Sequence, residues 1–124
     1  KPIGKHQLVQ DHIARIEMCR LTTDAVVMLA AQAKDACDAN PGDQSLRSKA
    51  DMLAAQAKYQ ASNAAWEAAD RAVQVFGGRG WSTLYRPGRH INDVRVCRIY
   101  EGTDEIIKLK IASSLLGKDF EAFK

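Results

Sequence analysis

One glutamate at the entrance to a helix is the residue of this chain best suited to acid–base chemistry. Residues 100–103 read Tyr-Glu-Gly-Thr and precede an apolar stretch. The glycine permits a tight turn and Thr103 is a favourable N-cap, so a helix is predicted to begin near Thr103. Asp104 and Glu105 then complement its positive end. Glu101 is left just outside the helix, where a carboxylate can act as a general base or simply add a favourable charge.

A second segment that could contribute to a functional site is rich in glycine and ends a long alanine-rich stretch. It reads Gln-Val-Phe-Gly-Gly-Arg-Gly from Gln74 to Gly80. Glycines allow a ligand or another backbone to approach closely. The spacing matches neither a dinucleotide-binding fingerprint nor a P-loop, because the glycines are spaced differently and no strand is predicted before them. Taken alone, the segment is consistent with a helix C-cap and turn or with a ligand contact.

Together, these two segments and their separation resemble the C-terminal domain of the acyl-CoA dehydrogenase family. In that domain a Gln-x-x-Gly-Gly-x-Gly segment is followed by Tyr-Glu-Gly-Thr and a final helix. The resemblance implies an FAD-dependent oxidoreductase of fatty acid metabolism that acts on the CH–CH group of an acyl-CoA thioester and yields 2-enoyl-CoA. Glu101 would remove the α proton, and hydride would pass from the β carbon to flavin N5. Some relatives carry the base on an earlier helix, but the glutamate here favours the ordinary arrangement.

The resemblance also implies roles for the neighbours of the base. Tyr100 and Gly102 would border the acyl thioester. Three residues would contact the FAD of the same subunit: Thr103, Asp104 and Glu105. Three others would contact the adenine-diphosphate end of a neighbouring subunit's FAD: Gln74, Gly77 and Gly78. The family further implies a homo-oligomer, a dimer or tetramer, with electron-transferring flavoprotein as the electron acceptor.

The length of 124 residues fits one domain. Residues 1–124 are therefore expected to be the C-terminal helical bundle of a larger flavoprotein, without its N-terminal helical domain and its middle β domain. The chain begins at Lys1 rather than at methionine, which predicts a processed or excised piece. Alone, this piece is expected to be inactive, because in the family most flavin and CoA contacts come from the other two domains.

Cysteine and histidine usage disfavours several classes of site. The 3 cysteines, Cys19, Cys37 and Cys97, are far apart, so neither a disulfide framework nor a zinc site is predicted. A reducing compartment fits best, namely the cytoplasm, or the mitochondrial matrix in a eukaryote. The 3 histidines lack metal-ligand spacing, and no metal is predicted. No apolar run approaches the roughly 20 residues that span a bilayer.

Arginines gather between residues 79 and 98, where Asp93 is the only acid, although the net charge is only +3. Such a cluster can hold a CoA or FAD phosphate or a nucleic-acid backbone, as in DNA-associated relatives of the family, or can form a solvated face with salt bridges. The solvated face is favoured, and nucleic acid is disfavoured because few aromatic residues lie among the arginines.

Apolar residues that recur every three or four positions predict an all-α fold, an antiparallel, up-and-down four-helix bundle. The helices are predicted at about residues 8–37, 45–76, 89–98 and 103–116. A turn is expected at 40–43, a break at 86–88 and a stop at Gly117. In the second helix, Tyr59 and Trp66 lie on a seam predicted to pack. Five alanines off that seam are predicted to contact another domain or subunit: Ala54, Ala57, Ala61, Ala64 and Ala68.

Besides nucleic-acid association through the arginine cluster, two other functions remain open from the residues. The first is a catalytically silent helical module used for assembly, in which the glycine turns are structural and Glu101 is only a helix-end charge. The second is an acyl-CoA oxidase-like relative, which keeps the flavin but passes electrons to oxygen.

Overall fold

The computed structural model describes residues 1–121, which form helices joined by turns. The α-helices are α1 (Gln7–Ala39), α2 (Gln44–Phe76), α3 (Gly78–Trp81), α4 (Arg86–Arg95) and α5 (Asp104–Leu116). Short 3₁₀-helices lie at Ile3–Lys5, Val96–Arg98 and Lys118–Phe120. This confirms the all-α prediction, whereas the antiparallel four-helix arrangement remains a prediction. The last three residues of the predicted domain lie outside the described ones.

Helix α2 is the element on which the other α-helices pack. α1 lies against α2, and α3, α4 and α5 also contact α2. Within the described residues, α1 makes no comparable contact with α4 or α5. Ala57 and Ala64 are buried in this chain, so their prediction as contacts of another domain or subunit is wrong. The reason is that other helices of this chain cover α2 on more than one side.

Local sequence sets most of the helix boundaries. Asp43 caps α2, since its side chain accepts hydrogen bonds from the backbone amides of Ser45 at 2.9 Å and Leu46 at 3.1 Å. The predicted break at 86–88 is instead the start of α4. Pro87 occupies the first turn of α4. Backbone N–H groups have no acceptor within the helix at this position, so proline loses no hydrogen bond there, and its fixed φ suits a helix. α4 also ends earlier than predicted, at Arg95.

Glycines bring the backbones of α2, α3 and α4 into close contact. A Cβ atom on Gly80 would lie 2.6 Å from the carbonyl oxygen of Val73. A Cβ atom on Gly88 would lie 2.8 Å from the carbonyl oxygen of Gly80. These two glycines therefore have a packing role that requires no ligand.

The core is built from small side chains. The buried apolar residues are Cys19, Ala50, Ala55, Ala57, Ala64, Ala69 and Ile107. Large apolar side chains are left open to solvent, including Leu8 at 81%, Trp81 at 83% and Leu84 at 84% exposure. An apolar surface of this extent is typical of a chain that packs against further protein. No helix in the described part of the chain has the length and apolar character needed to cross a membrane.

Candidate functional site

Glu101 and Gly102 form the turn between the 3₁₀-helix Val96–Arg98 and α5. The φ angle of Glu101 is +56°, and among residues 1–121 no other non-glycine residue has a positive φ. Gly102 follows with a φ of +100°. A non-glycine residue in this region costs on the order of 1 kcal/mol and persists where its surroundings hold it, often at functional sites. Glu101 is exposed and lies outside the helix, as the sequence predicted.

The start of α5 is capped as predicted. The hydroxyl oxygen of Thr103 accepts a hydrogen bond from the backbone amide of Ile106 at 3.3 Å. The backbone amides of residues 101–105 have no acceptor among the described residues. Unpaired amides at the positive end of a helix form a site for negatively charged or polar oxygen atoms. The first turn also holds Asp104, which is buried, and Glu105, which is exposed.

Asp104 is held by side chains from two other elements. The Nε atom of Arg98 donates to its Oδ2 atom at 2.7 Å, and Asn63 of α2 donates to the same oxygen at 3.2 Å. Its Oδ1 atom is buried without a hydrogen-bond partner among the described residues. Burial has the largest single effect on the pKa of Asp104 and raises it, because burial disfavours the charged form. The hydrogen bonds from Arg98 and Asn63, and the charges of Arg98 and Lys58, outweigh burial and lower the pKa of Asp104.

Lys58 on α2 reaches the turn itself. Its Nζ atom donates a hydrogen bond to the carbonyl oxygen of Gly102 at 2.5 Å. The sequence did not predict Lys58, Asn63 or Arg98 as site residues. No local pattern could have identified Lys58 or Asn63, since both contacts join α2 to residues more than forty positions further along the chain.

Tyr100 lies beside the turn and is about half exposed. Its hydroxyl oxygen lies 3.3 Å from the sulfur of Cys97. The pKa of Tyr100 is raised above its ordinary value. The main causes are the hydrogen bond and the charge of Cys97, followed by burial and the charge of Glu101. The hydroxyl therefore remains protonated at neutral pH. Its predicted place beside an acyl thioester stays a prediction.

The second predicted site is separate from the first within this chain. Gln74 lies about 16 Å along the axis of α2 from Asn63, which contacts Asp104. Gly77, with a φ of +60°, ends α2, and nothing lies within 4 Å of the position of a Cβ atom on Gly77 or Gly78. Their backbone is thus open to a ligand. Contact of these residues with a neighbouring subunit's flavin stays a prediction.

The arginine-rich segment is partly used by contacts inside the chain. The guanidinium of Arg95 lies 5.9 Å from the centre of the Trp66 ring. Arg89 donates to the carbonyl oxygen of Thr83 at 3.1 Å, and Arg98 is paired as described above. Of these three contacts only that of Arg98 with Asp104 is a salt bridge, and the favoured interpretation, a solvated face with salt bridges, stays a prediction.

Replacement of Asp104 by asparagine is expected to lower the free energy of unfolding at pH 7 by about 1.5–3 kcal/mol, the usual value of a hydrogen bond to a charged group. The native pKa of Asp104 is lowered. Its carboxylate therefore stabilises the fold fully above about pH 4, and this contribution is lost as the pH falls through the native pKa. Urea unfolding at pH 7 and pH 3 measures both effects.

The Asp104→Asn variant should lose less stability than the parent chain between these two pH values. An equal loss in both proteins would assign the acid sensitivity to other carboxylates.

Comparison with known proteins gives a consistent family. A family model described as acyl-CoA dehydrogenase, C-terminal domain, matches residues 1–116. The 3-(aryl)acrylate reductase of Clostridium sporogenes is 36% identical over 116 residues, which are 94% of this chain and 28% of the relative. The mitochondrial short-chain specific acyl-CoA dehydrogenase of Homo sapiens is 35% identical over 117 residues, which are 93% of this chain and 26% of the relative.

A solved structure is similar over the same extent. It comes from work on the electron transferring flavoprotein of Acidaminococcus fermentans and the mechanism of flavin-based electron bifurcation. It aligns with a TM-score of 0.79 and 30% identity, covering 94% of this chain and 28% of that chain. The present chain thus spans about a quarter of the length of the curated relatives described above.

Proposed function

This chain belongs to the acyl-CoA dehydrogenase family, as its C-terminal domain, and we propose that it supplies the catalytic base and part of the flavin site of an FAD-dependent acyl-CoA dehydrogenase. The proposed reaction is α,β-dehydrogenation of an acyl-CoA thioester to 2-enoyl-CoA. One observation carries the proposal. Glu101 is an exposed residue in a left-handed turn, next to the backbone amides at the start of α5 that have no acceptor among the described residues.

The chain acts as one domain of a larger protein in this proposal. Its span of about a quarter of its relatives and its exposed large apolar side chains support that arrangement. Its four longer α-helices form an antiparallel bundle that an N-terminal helical domain, a middle β domain and further subunits cover. The complete protein is then a dimer or tetramer, and the isolated chain is inactive because it lacks most of the pocket.

Glu101 is assigned the removal of the proton α to the thioester carbonyl. Its side chain has no hydrogen-bond partner among the described residues, so the carboxylate is free to accept a proton. A carboxylate can abstract so weakly acidic a proton only where the carbonyl is polarised and water is excluded. The exposed position of Glu101 means that the other domains and the substrate must exclude that water. Tyr100 and Gly102, its neighbours, are assigned to the acyl-thioester pocket.

The residues around the start of α5 fit FAD, the cofactor that the family generally uses. Amides without acceptors suit flavin carbonyl or phosphate oxygens. The cofactor, when bound, would accept at its N5 atom the hydride that leaves the β carbon. Thr103 and Glu105 can meet it from the first turn. Because the Asp104 carboxylate is buried against Arg98 and Asn63, Asp104 would contact the flavin through its backbone.

Gln74, Gly77 and Gly78 are assigned to the adenine-diphosphate end of a neighbouring subunit's FAD. The support is their open backbone at the end of α2. Electrons are proposed to leave through an electron-transferring flavoprotein. The free thiols of Cys19, Cys37 and Cys97 fit a reducing compartment, so we place the protein in the cytoplasm, or in the mitochondrial matrix of a eukaryote.

The name of one relative favours a second candidate function. The chain is 36% identical to a 3-(aryl)acrylate reductase. That name describes saturation of a carbon–carbon double bond, which is the reverse of the dehydrogenation. Anaerobic addition of 3-phenylacrylate, or of its CoA thioester, to the chemically reduced flavoprotein tests this candidate. Rapid return of the flavin absorbance would favour the reductase direction.

The anaerobic visible spectrum of the full-length protein tests the main proposal. Flavin absorbance is expected to bleach after addition of a mixture of acyl-CoA thioesters and to stay unchanged after addition of free CoA. Flavin that is present but does not bleach would contradict the proposed reaction. Intact protein without flavin would favour the assembly module, and peroxide formed in step with substrate without an added acceptor would favour the oxidase.

A further inference from the structure

We propose that Lys58 is a positioning residue that holds Glu101 in its proton-abstracting conformation through the peptide group that follows the turn. This inference rests on the proposed role of Glu101 as the base. Lys58 makes no hydrogen bond or ion pair with the Glu101 side chain and acts through the backbone of Gly102.

The turn formed by Glu101 and Gly102 has conformational freedom of its own. Glu101 and Gly102 both have positive φ angles, and a glycine can leave such a conformation at little cost. A Cβ atom on Gly102 would lie 3.1 Å from the Cδ1 atom of Ile107, so the backbone here is also close to the core. A left-handed conformation is unfavourable for glutamate, so the surrounding structure must hold Glu101 in it.

Lys58 fixes the direction of the peptide group between Gly102 and Thr103. Lys58 lies on the central helix α2 and donates to the Gly102 carbonyl oxygen at 2.5 Å. The C=O and N–H groups of a trans peptide point in opposite directions. The carbonyl therefore faces α2 while the Thr103 amide faces away from it. One donor on α2 thus fixes both the turn and an amide at the start of α5.

The charge of Lys58 also acts on this region. A cation beside the positive end of α5 is unfavourable by itself. Lys58 lies close enough to the buried carboxylate of Asp104 for its charge to contribute to the lowered pKa of that group. Asp104 in turn binds Arg98, which precedes the turn. Lys58 therefore anchors the backbone after Glu101, and Arg98 anchors the segment before it.

The test uses the full-length flavoprotein and a Lys58→Met variant, which removes the donor and retains the length of the side chain. We expect the rate of anaerobic reduction per bound flavin to fall about tenfold to a hundredfold, because a displacement of the order of 1 Å can cost a hundredfold. With an acyl-CoA deuterated at the α carbon, the primary isotope effect on this rate should rise, because the slower proton abstraction then limits the measured rate to a larger extent. Flavin content should remain that of the parent.

Two variants serve as controls. Lys58→Arg retains a donor for the Gly102 carbonyl and should return the rate towards that of the parent. Lys49→Met removes an exposed lysine from the same helix, away from the turn, and should leave both the rate and the isotope effect unchanged. If Lys58→Met does not fold, Lys58→Gln is measured in the same way.

An unchanged rate per bound flavin in Lys58→Met would overturn the inference, even if less flavin were bound, because that result describes a purely structural residue. Failure of both Lys58→Met and Lys58→Gln to fold would overturn it in the same sense. Failure of the proposed function looks different: the parent would not reduce its flavin, or Glu101→Gln would reduce it at the parent rate. In those cases this inference fails with the proposed function.

Discussion

Replacement of Glu101 by glutamine in the full-length protein is expected to lower the rate of flavin reduction by acyl-CoA by about 10²–10⁴-fold, the usual contribution of a general base. Glutamine has nearly the same shape as glutamate but cannot accept the α proton. Because the side chain is exposed and has no hydrogen-bond or ion-pair partner among the described residues, the substitution removes no such bond from the fold. Stopped-flow absorbance of the flavin under anaerobic conditions measures the rate.

A Glu101→Asp variant provides the graded comparison. It keeps the carboxylate but withdraws it by one methylene, so its rate should fall between those of the parent and Glu101→Gln. Both variants should contain as much flavin as the parent. Reduction of Glu101→Gln at the parent rate would remove the base assignment and would make the helix-end charge the better interpretation of this glutamate.

The start of α5 could be predicted from sequence because its determinants are local. Thr103 caps the helix, Gly117 ends it with a φ of +104°, and Glu101 lies just before it, all within one continuous segment. The support of the turn could not be predicted in the same way. Lys58 and Asn63 come from the middle of α2, and only the packing of α2 against α5 brings them to residues 102 and 104.

The same distinction between local sequence and long-range packing explains which predictions about the fold were wrong. Apolar periodicity located α1 and α2 because both helices are long and free of interior proline. It assigned Ala57 and Ala64 to an outer face, since periodicity on one helix does not show how many sides other helices will cover. Pro87 predicts a break when it is considered alone, although a proline in the first turn is equally consistent with a helix start.

The glycine-rich segment shows how a motif can combine two physical roles. Gly77 and Gly78 have open space where a side chain would be, whereas Gly80 lies against α2 and is buried. From sequence alone these glycines are equivalent. Their difference arises from α3, which turns back against the end of α2 and leaves no space for a Cβ atom at Gly80.

Replacement of Gly80 by alanine is accordingly expected to lower the free energy of unfolding of this chain by about 1–3 kcal/mol, the usual cost of overpacking. The new Cβ atom would lie 2.6 Å from the Val73 carbonyl oxygen and 2.9 Å from the Val73 Cα atom. Both are backbone atoms, so the clash cannot be relieved by rotating a side chain. α3 must move away from α2, and urea unfolding followed by circular dichroism measures the cost.

Gly78→Ala is the matched control in the same short helix. Nothing lies within 4 Å of its Cβ position and its φ is not positive, so alanine fits without strain. Its stability should equal that of the parent or exceed it by about 0.4–1 kcal/mol, because alanine restricts the unfolded chain. Equal stability of Gly80→Ala and Gly78→Ala would mean that α3 does not pack against α2 in solution. A loss confined to Gly80→Ala would instead show that this part of the glycine motif maintains the fold independently of any flavin.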